Sequence, residues 1–459
     1  MTTIHATRPI PELPTSLPLV ERRAALPAGF AAGGAAIGIK ASGRPDLVLI
    51  RTTDGPAAAA AVFTPNAFAA APVKQSQANL AATSGDPRGR HGWAEVVIST
   101  SGSANAATGP AGDADQAEIG RIVSAAAGVA AERVLHLSTG IIGTRLPLDR
   151  VAGGVASHIP ALTTADAGLA AAAEALRTTD SVTKVATTSV DLPAADGGTV
   201  LVTVSGIAKG VGMIHPRMAT MLAVVLTDAA VAPAVLADLL RPAAVRTWNQ
   251  LSVDGDTSTN DTVFVLASGK AGNQEFAASA PSAKALGAAI EAVARDLARQ
   301  QAADGEGAAT LITCQVSGAR DDAEARAVAR AVVSSSLLKA AVHGRDPNWG
   351  RIAGAAGNGV LAEAAVLEAG GLPADEAAAR AGTQVALDPE RLRIAIAGHL
   401  VFDGTAGGPV AFDRAAARAE MDAPELLIRL DLGLGDGTGE AFGCDLTEQY
   451  VIENSEYTT

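Results

Sequence analysis

The chain has 459 residues, enough for one large domain or for two or three of ordinary size. Hydrophobic residues make up 48% of it and charged residues 18%, so the chain can bury a sizeable core and lacks the composition of a disordered protein. Its 35 Lys and Arg residues against 48 Asp and Glu residues give a net charge of -13. That balance argues against a protein that coats nucleic acid and leaves small metabolites open as partners.

Cysteine usage and the N-terminus bear on the cellular compartment. Cys314 and Cys444 lie far apart and form no CxxC pair, so the sequence predicts neither a zinc ribbon nor a disulfide framework, and a cytoplasmic location is the simplest assignment. No basic start is followed by an apolar run, so we expect no signal peptide. The uncharged stretch 55–73 contains three prolines, and its apolar residues are mainly alanines, so we expect no membrane helix there.

Short β-rich runs alternate with Ala-rich helical patterns after a Pro-rich lead-in that ends near residue 26. The β-rich runs predict strands at Leu47–Arg51, Glu95–Thr100, Val200–Ser205, Thr220–Thr227, Thr262–Ala267, Thr310–Val316, Arg393–Ala397 and Leu426–Leu432. The helical patterns cover Asp113–Arg133, Ala165–Leu176, Ala232–Thr247, Ser282–Ala303 and Asp321–Ala341. Strands and helices mixed over the whole length indicate a layered α/β or α+β architecture.

Nucleotide and calcium motifs are not supported by the sequence. No P-loop is present, and no strand leads into the glycine pattern at residues 357–362. Residues 254–260 resemble the start of a calcium loop, but the glycine and the glutamate that such a loop needs are missing. We interpret this segment as a polar turn, and its density of polar groups favours a place near an active site.

The most informative segment is residues 208–229, AKGVGMIHPRMATMLAVVLTDA. Its glycines and Pro216 predict an irregular loop that runs into an apolar strand at Thr220. A threonine there has an ordinary explanation, because β-branched residues favour strands, and composition alone supports that explanation. Alternatively, cleavage of the Ala219–Thr220 bond would free an α-amine with a pKa of about 7.7–8.0, which can take the proton of the threonine hydroxyl.

The segment resembles the self-cleavage motif of the ornithine acetyltransferase family, also called the ArgJ or glutamate N-acetyltransferase family, KG-S/A-GMI-x-P-x-MATML. Further matching motifs follow in order across roughly residues 27–459, and they lie at residues 29–33, 45–49, 61–66, 71–73, 101–109, 138–143, 177–180, 252–262, 304–307, 343–351, 443–446 and 450–459. So many ordered matches favour the nucleophile over the ordinary strand residue.

The resemblance implies an αββα sandwich of the ArgJ/DmpA-like type, related to the N-terminal nucleophile hydrolases. It implies that the precursor cuts itself between Ala219 and Thr220. The products would be an α chain, residues 1–219, and a β chain, residues 220–459, which stay together as one intertwined catalytic unit. In this family such units commonly pair into heterotetramers of two α and two β chains.

The resemblance also assigns the site residues. Thr220 is the nucleophile of both self-cleavage and acetyl transfer, and Thr139 and Gly140 match the pair that forms the oxyanion hole. The positions that match substrate contacts are Thr178, Lys209, Thr220, Glu306, Asn454 and Thr459. Their chemistry suits an amino acid, since Lys209 can pair with an α-carboxylate and Glu306 with the ammonium of ornithine.

The implied reaction belongs to arginine biosynthesis and moves an acetyl group from N²-acetylornithine to glutamate through an acetyl-threonine ester. No metal or bound organic cofactor is implied, and acetyl-CoA stays open as an additional acetyl donor.

Three alternative functions are an aminopeptidase-like hydrolase of the same fold family, a secondary-metabolism acetyltransferase for a related basic amino acid, and a binding protein without activity. Departures from the family pattern at Thr100, Thr183, Val211 and Phe442 leave the catalytic positions intact and bear on substrate preference.

Overall fold

The structure is a computed structural model, and it describes residues 9–13, 15–215 and 221–455. Its strands are β1 (Phe30–Ala35), β2 (Leu47–Thr52), β3 (Ala57–Phe63), β4 (His91–Ala94), β5 (Val96–Ser103), β6 (Val134–Ile141), β7 (Lys184–Pro193), β8 (Thr199–Lys209), β9 (Leu222–Thr227), β10 (Leu251–Ser252), β11 (Thr262–Ala267), β12 (Leu311–Ala319), β13 (Arg393–Ile396), β14 (His399–Asp403), β15 (Gly408–Pro409), β16 (Glu425–Asp431) and β17 (Gly437–Cys444).

Helices connect most of these strands. They are α1 (Ala71–Ser84), α2 (Gly109–Ala127), α3 (Leu148–His158), α4 (Asp166–Leu176), α5 (Pro233–Arg246), α6 (Pro281–Ala303), α7 (Asp322–Val333), α8 (Ser336–His343), α9 (Trp349–Ala356), α10 (Ala364–Ala369), α11 (Ala374–Arg380), α12 (Arg414–Glu420) and α13 (Glu448–Ser455). In the part of the chain that the structure describes, no helix is both long and apolar enough to cross a bilayer.

Two sheets pack face to face in the centre of the fold. One has four strands in the order β1-β2-β5-β6, and the other has six in the order β4-β3-β11-β9-β8-β7. Successive side chains of a strand point to opposite faces of the six-stranded sheet, so each strand contributes to two hydrophobic cores. In β11, Phe264 packs between the two sheets, whereas Val263 and Val265 pack on the outer face. Both faces of this sheet are therefore buried.

Helices cover the outer face of each sheet. Ile119 of α2 and Val151 of α3 pack on the four-stranded sheet, and Leu240 of α5 and Ile290 of α6 pack on the six-stranded sheet. The layers therefore follow the order helix, sheet, sheet, helix, and the predicted αββα sandwich is confirmed.

A third sheet extends the fold beyond α6. It has seven strands in the order β10-β17-β12-β16-β13-β14-β15, and it packs on α7 and α9 through Val328, Val332 and Ile352. The sequence predicted three of its strands but not a separate sheet.

Two predicted helices are shorter in the structure than in the sequence analysis. The pattern Asp321–Ala341 splits into α7 and α8, because the Ser335 hydroxyl accepts a hydrogen bond from the Leu338 amide and begins a new helix. The pattern Asp113–Arg133 ends as α2 at Ala127, since Gly128 adopts a left-handed φ of +69°. By contrast, β11 has the predicted bounds and α6 begins one residue early.

Candidate active site

Two predicted site residues, Thr139 and Gly140, lie at the end of β6 in the four-stranded sheet. Gly140 has a φ of +130°, and a Cβ there would lie 2.3 Å from the carbonyl carbon of Gly102 on the paired strand β5. Only glycine fits this close approach of two backbones. The neighbouring Thr139 is 9% exposed. The strand end is thus a tight, irregular backbone that carries one hydroxyl.

Lys209 reaches this hydroxyl from the other sheet. It is the last residue of β8, and its Nζ donates a hydrogen bond to Thr139 Oγ1 over 3.2 Å. Burial lowers the pKa of Lys209, an effect that the carboxylate of Asp180 opposes and the ammonium of Lys184 reinforces. The contact joins the ends of two strands from different sheets at one point.

The carboxylate of Asp180 joins Thr178 to the end of β8. Its Oδ2 accepts the Thr178 amide over 3.0 Å, and its Oδ1 accepts the Gly210 amide over 2.8 Å. Burial alone would raise the pKa of Asp180, but the ammonium groups of Lys184 and Lys209 outweigh it and lower that pKa well below its usual range. Asp180 is therefore a fixed anion beneath the site.

Lys184 forms ion pairs with two carboxylates, those of Asp180 and Asp304. Its Nζ lies 2.8 Å from Asp180 Oδ1 and 2.6 Å from Asp304 Oδ2, and its side chain is fully buried. Asp304 also accepts the Ser181 amide over 3.0 Å. Two carboxylates and one ammonium thus hold the loop that follows α4 against the C-terminal end of α6.

Glu306, predicted to meet the ornithine ammonium, is 9% exposed. Its Oε1 accepts the hydroxyl of Thr179 over 3.0 Å, and its Oε2 accepts the side-chain amide of Asn454 on α13 over 2.9 Å. A Cβ on Gly212 would lie 2.1 Å from Oε2, so this carboxylate packs against the glycine backbone of the 211–215 loop. The structure thus brings Glu306 and Asn454 together. Their link to the Thr178 segment runs through Thr179, which the sequence analysis missed.

The polar turn at residues 254–260 holds the loop before the predicted cleavage point. Asp254 accepts the backbone amides of Met213 and Ile214, and Thr257 donates its hydroxyl to the His215 carbonyl over 2.9 Å. Burial raises the pKa of Asp254, and the amide hydrogen bonds oppose that shift. The predicted polar turn is confirmed, and it lies beside the 211–215 loop.

Asp261 is a further buried acid that the sequence analysis did not single out. It is 3% exposed, and its Oδ2 has no hydrogen-bond partner within the described ranges. Burial raises its pKa well above the usual value, and the ammonium of Lys209 is among the groups that oppose the shift. The next residue, Thr262, donates its amide to the carbonyl of Met221 over 2.8 Å. An aspartate directly before a fully buried, mainly apolar strand is the sequence signal that could have found it.

Three predicted positions, Ala219, Thr220 and Thr459, lie outside the described residues. The chain is nevertheless fixed on both sides of residues 216–220. Lys209 pairs with Leu222 in the ladder between β8 and β9, and Met221 is hydrogen-bonded to Thr262. Met221, the first described residue after 216–220, therefore lies next to the strand end where Lys209 meets Thr139.

A family model described as the ArgJ family matches residues 31–459. The chain belongs to the ArgJ family. Proteins named "Arginine biosynthesis bifunctional protein ArgJ" are 42% identical in Gloeobacter violaceus and 41% identical in Geobacillus kaustophilus, over 94% of this chain in both cases and over 96% and 95% of the relatives. The expected family is therefore confirmed, and with it the enzyme class, an acetyltransferase.

Solved structures from the same family also match. The Bacillus halodurans protein named ArgJ is 37% identical, with a TM-score of 0.44 over 51% of this chain and 99% of that one. The Mycobacterium tuberculosis ornithine acetyltransferase, solved as a complex with ornithine, is 40% identical, with a TM-score of 0.37 over 43% of this chain and 97% of that one.

The buried charges under the site predict a large stability effect at Asp180. Asp180→Asn removes the negative charge that faces Lys184, and we expect it to lower the free energy of unfolding by about 3 kcal/mol, since breaking a buried ion pair leaves a charge poorly compensated. Urea unfolding measures this change. The matched control is Asp54→Asn, because Asp54 is an exposed aspartate that pairs with Lys270, and little change is expected there. Equal effects of both substitutions would contradict the prediction.

Proposed function

We propose that this protein transfers an acetyl group from N²-acetylornithine to glutamate through an acetyl ester on Thr220. The Thr220 hydroxyl attacks the acetyl carbonyl, the carbon–nitrogen bond breaks, and ornithine leaves with a proton on its amine. The amine of glutamate then attacks the ester, N-acetylglutamate forms, and the threonine oxygen regains a proton. Membership of the ArgJ family and the geometry around Thr139 support this reaction.

The observation that carries the proposal is the hydrogen bond from Lys209 Nζ to Thr139 Oγ1 at 3.2 Å. A hydroxyl has one proton to donate, and an oxygen that already accepts from an ammonium is free to donate that proton elsewhere. The nearby cation also makes this proton a stronger donor. Thr139, together with the amide of Gly140, is therefore suited to stabilise an oxyanion on the substrate.

We infer that the active enzyme forms by cleavage between Ala219 and Thr220. The new α-amine of Thr220 would serve as the general base for its own hydroxyl, since its ordinary pKa of about 7.7–8.0 lies near neutrality. The products, residues 1–219 and 220–459, would stay associated, because β8 pairs with β9 and β3 pairs with β11 across the cleavage point. Pairing of two such units into a heterotetramer in the cytoplasm is part of the same proposal.

The charges around the site suit two successive amino acids. Lys209 would bind the α-carboxylate that ornithine and glutamate share, and Glu306 would bind the side-chain ammonium of acetylornithine. Thr178, Asn454 and Thr459 would supply further hydrogen bonds. The reaction needs no metal or bound organic cofactor. The curated relatives are named bifunctional, which supports acetyl-CoA as a second acetyl donor.

A Thr139 variant tests the role of its hydroxyl. Thr139→Ala removes one donor to the oxyanion, and we expect kcat for acetyl transfer from N²-acetylornithine to glutamate to fall about 10²–10³-fold. The matched control is Thr144→Ala, because Thr144 is an exposed threonine in the loop that follows the same strand. A Thr139→Ala enzyme within threefold of wild type would remove Thr139 from the site. Release of acetate that does not depend on glutamate would favour the hydrolase instead.

A Glu306 variant tests the substrate assignment. Glu306→Gln keeps the shape but removes the charge, so kcat/KM for N²-acetylornithine should fall at least tenfold, while kcat/KM for glutamate should change less. Steady-state rates with each substrate varied in turn measure both values. Glu448→Gln, at an exposed carboxylate on α13, serves as the control. Unchanged use of N²-acetylornithine by Glu306→Gln would refute the role of Glu306 and leave the Thr220 chemistry standing.

A further inference from the structure

A cavity of about 640 Å³, here called the α7 cavity, lies beside helix α7. Its walls are mainly aliphatic and include Val245, Leu361, Val366 and Leu367. None of Thr139, Lys209, Glu306 and Asn454 is among its described lining residues, although His215 of the 211–215 loop is one of them. Its size and its apolar walls are typical of pockets that bind small organic molecules.

The charged residues that line this cavity are Arg326 and Arg330 on α7 and Glu363, and Arg326 also borders a neighbouring polar groove. Arg326 is 7% exposed, and a Cβ on Gly370 would lie 3.0 Å from its Nη2. Within residues 9–13, 15–215 and 221–455, no group accepts a hydrogen bond from this guanidinium and no carboxylate lies within 4.0 Å of it. A buried arginine without a partner is costly, because its charge has lost water and gained no counterion.

The acidic groups near Arg326 are already engaged elsewhere. Asp321 pairs with Arg380 and Glu291 pairs with Arg246, each at 2.6 Å. Asp322 accepts the backbone amide of Thr438 over 2.9 Å. Burial lowers the pKa of Arg326, and these carboxylates oppose the shift only in part. An acceptor for the guanidinium must therefore come from outside the described chain.

We propose that the α7 cavity binds an organic monocarboxylate with an aliphatic body, whose carboxylate pairs with Arg326. A guanidinium and a carboxylate form two parallel hydrogen bonds, which suits Arg326, whereas Arg330 on the same wall is already engaged. The aliphatic walls would cover the rest of the ligand. Glu363 on the same wall disfavours a ligand of higher negative charge. This inference is independent of the proposed acetyl transfer.

Calorimetric titration of the full-length protein with hexanoate tests the proposal. We expect saturable binding of one hexanoate per protein chain, with hexan-1-ol, hexylammonium and acetate each at least tenfold weaker, since each lacks either the charge or the aliphatic body. Saturating ornithine should leave the Kd of hexanoate unchanged. Absence of hexanoate binding, displacement by ornithine, or tighter binding of hexyl phosphate than of hexanoate would each overturn the proposal.

Three variants separate a ligand-binding role of Arg326 from a structural one. Arg326→Met should weaken hexanoate binding at least tenfold and leave Tm equal to or above that of wild type, because it removes an unpaired buried charge. Ala331→Leu narrows the cavity without changing its charge and should also weaken binding. Arg121→Gln, at an exposed arginine on α2, should bind as wild type does. Binding by Arg326→Met within threefold of wild type, or normal binding by Ala331→Leu, would overturn the proposal.

Discussion

Strands β3 and β8, which precede residue 219, hydrogen-bond to β11 and β9, which follow residue 220, within one six-stranded sheet. The predicted cleavage point is therefore flanked by parts of one cooperative unit. Helices α5 and α6 seal the outer face of that sheet, and the four-stranded sheet covers its inner face. Cutting the connection would remove one covalent link but none of the hydrogen bonds in these ladders. If the proposed cleavage occurs, the same sheet would therefore keep the two products together.

Buried ion pairs hold the backbone around the site in place. Lys184 is fully buried between Asp180 and Asp304, and this arrangement holds the loop that follows α4 in place. Asp180 in turn holds the Gly210 amide beside Lys209. In the proposed site, Lys209 and Glu306 would offer one positive and one negative group, which is the pattern that a zwitterionic amino acid requires. The buried ion pairs thus fix the backbone on which Lys209 is carried.

Much of the fold could be predicted from the sequence, and the exceptions have physical causes. Strand β11 and helix α6 are buried against neighbouring layers, so their apolar residues form a continuous run in β11 and a helical repeat in α6. Both patterns can be recognised in the sequence. Strand β3 was missed because it is mainly alanine, a residue with low strand propensity that fits here between two packed faces. Strand β17 was missed because its glycines break any alternating pattern.

The site residues also divide into those that the sequence predicts and those that only the structure reveals. The family motifs led to Thr139, Lys209, Glu306 and Asn454, and the structure places the first two in contact and the last two in contact. Thr179 has no sequence signal of its own, because its role comes from a long-range hydrogen bond to Glu306, and the only sequence signal of Asp261 is its place directly before β11. Arg326 is similar, since an arginine in a helix normally faces solvent and only the packing of α10 beside it reveals its burial.

Mass spectrometry of denatured protein tests the central claim most directly. Purified enzyme is mixed with N²-acetylornithine in the absence of glutamate, and the intact polypeptides are weighed. The account predicts two polypeptides, residues 1–219 and 220–459, of which the second carries one added acetyl group that glutamate then removes. Thr220→Ala protein should stay full-length and unacetylated. A single full-length polypeptide in enzyme that transfers acetyl groups, or turnover with no acetylated chain, would contradict the account.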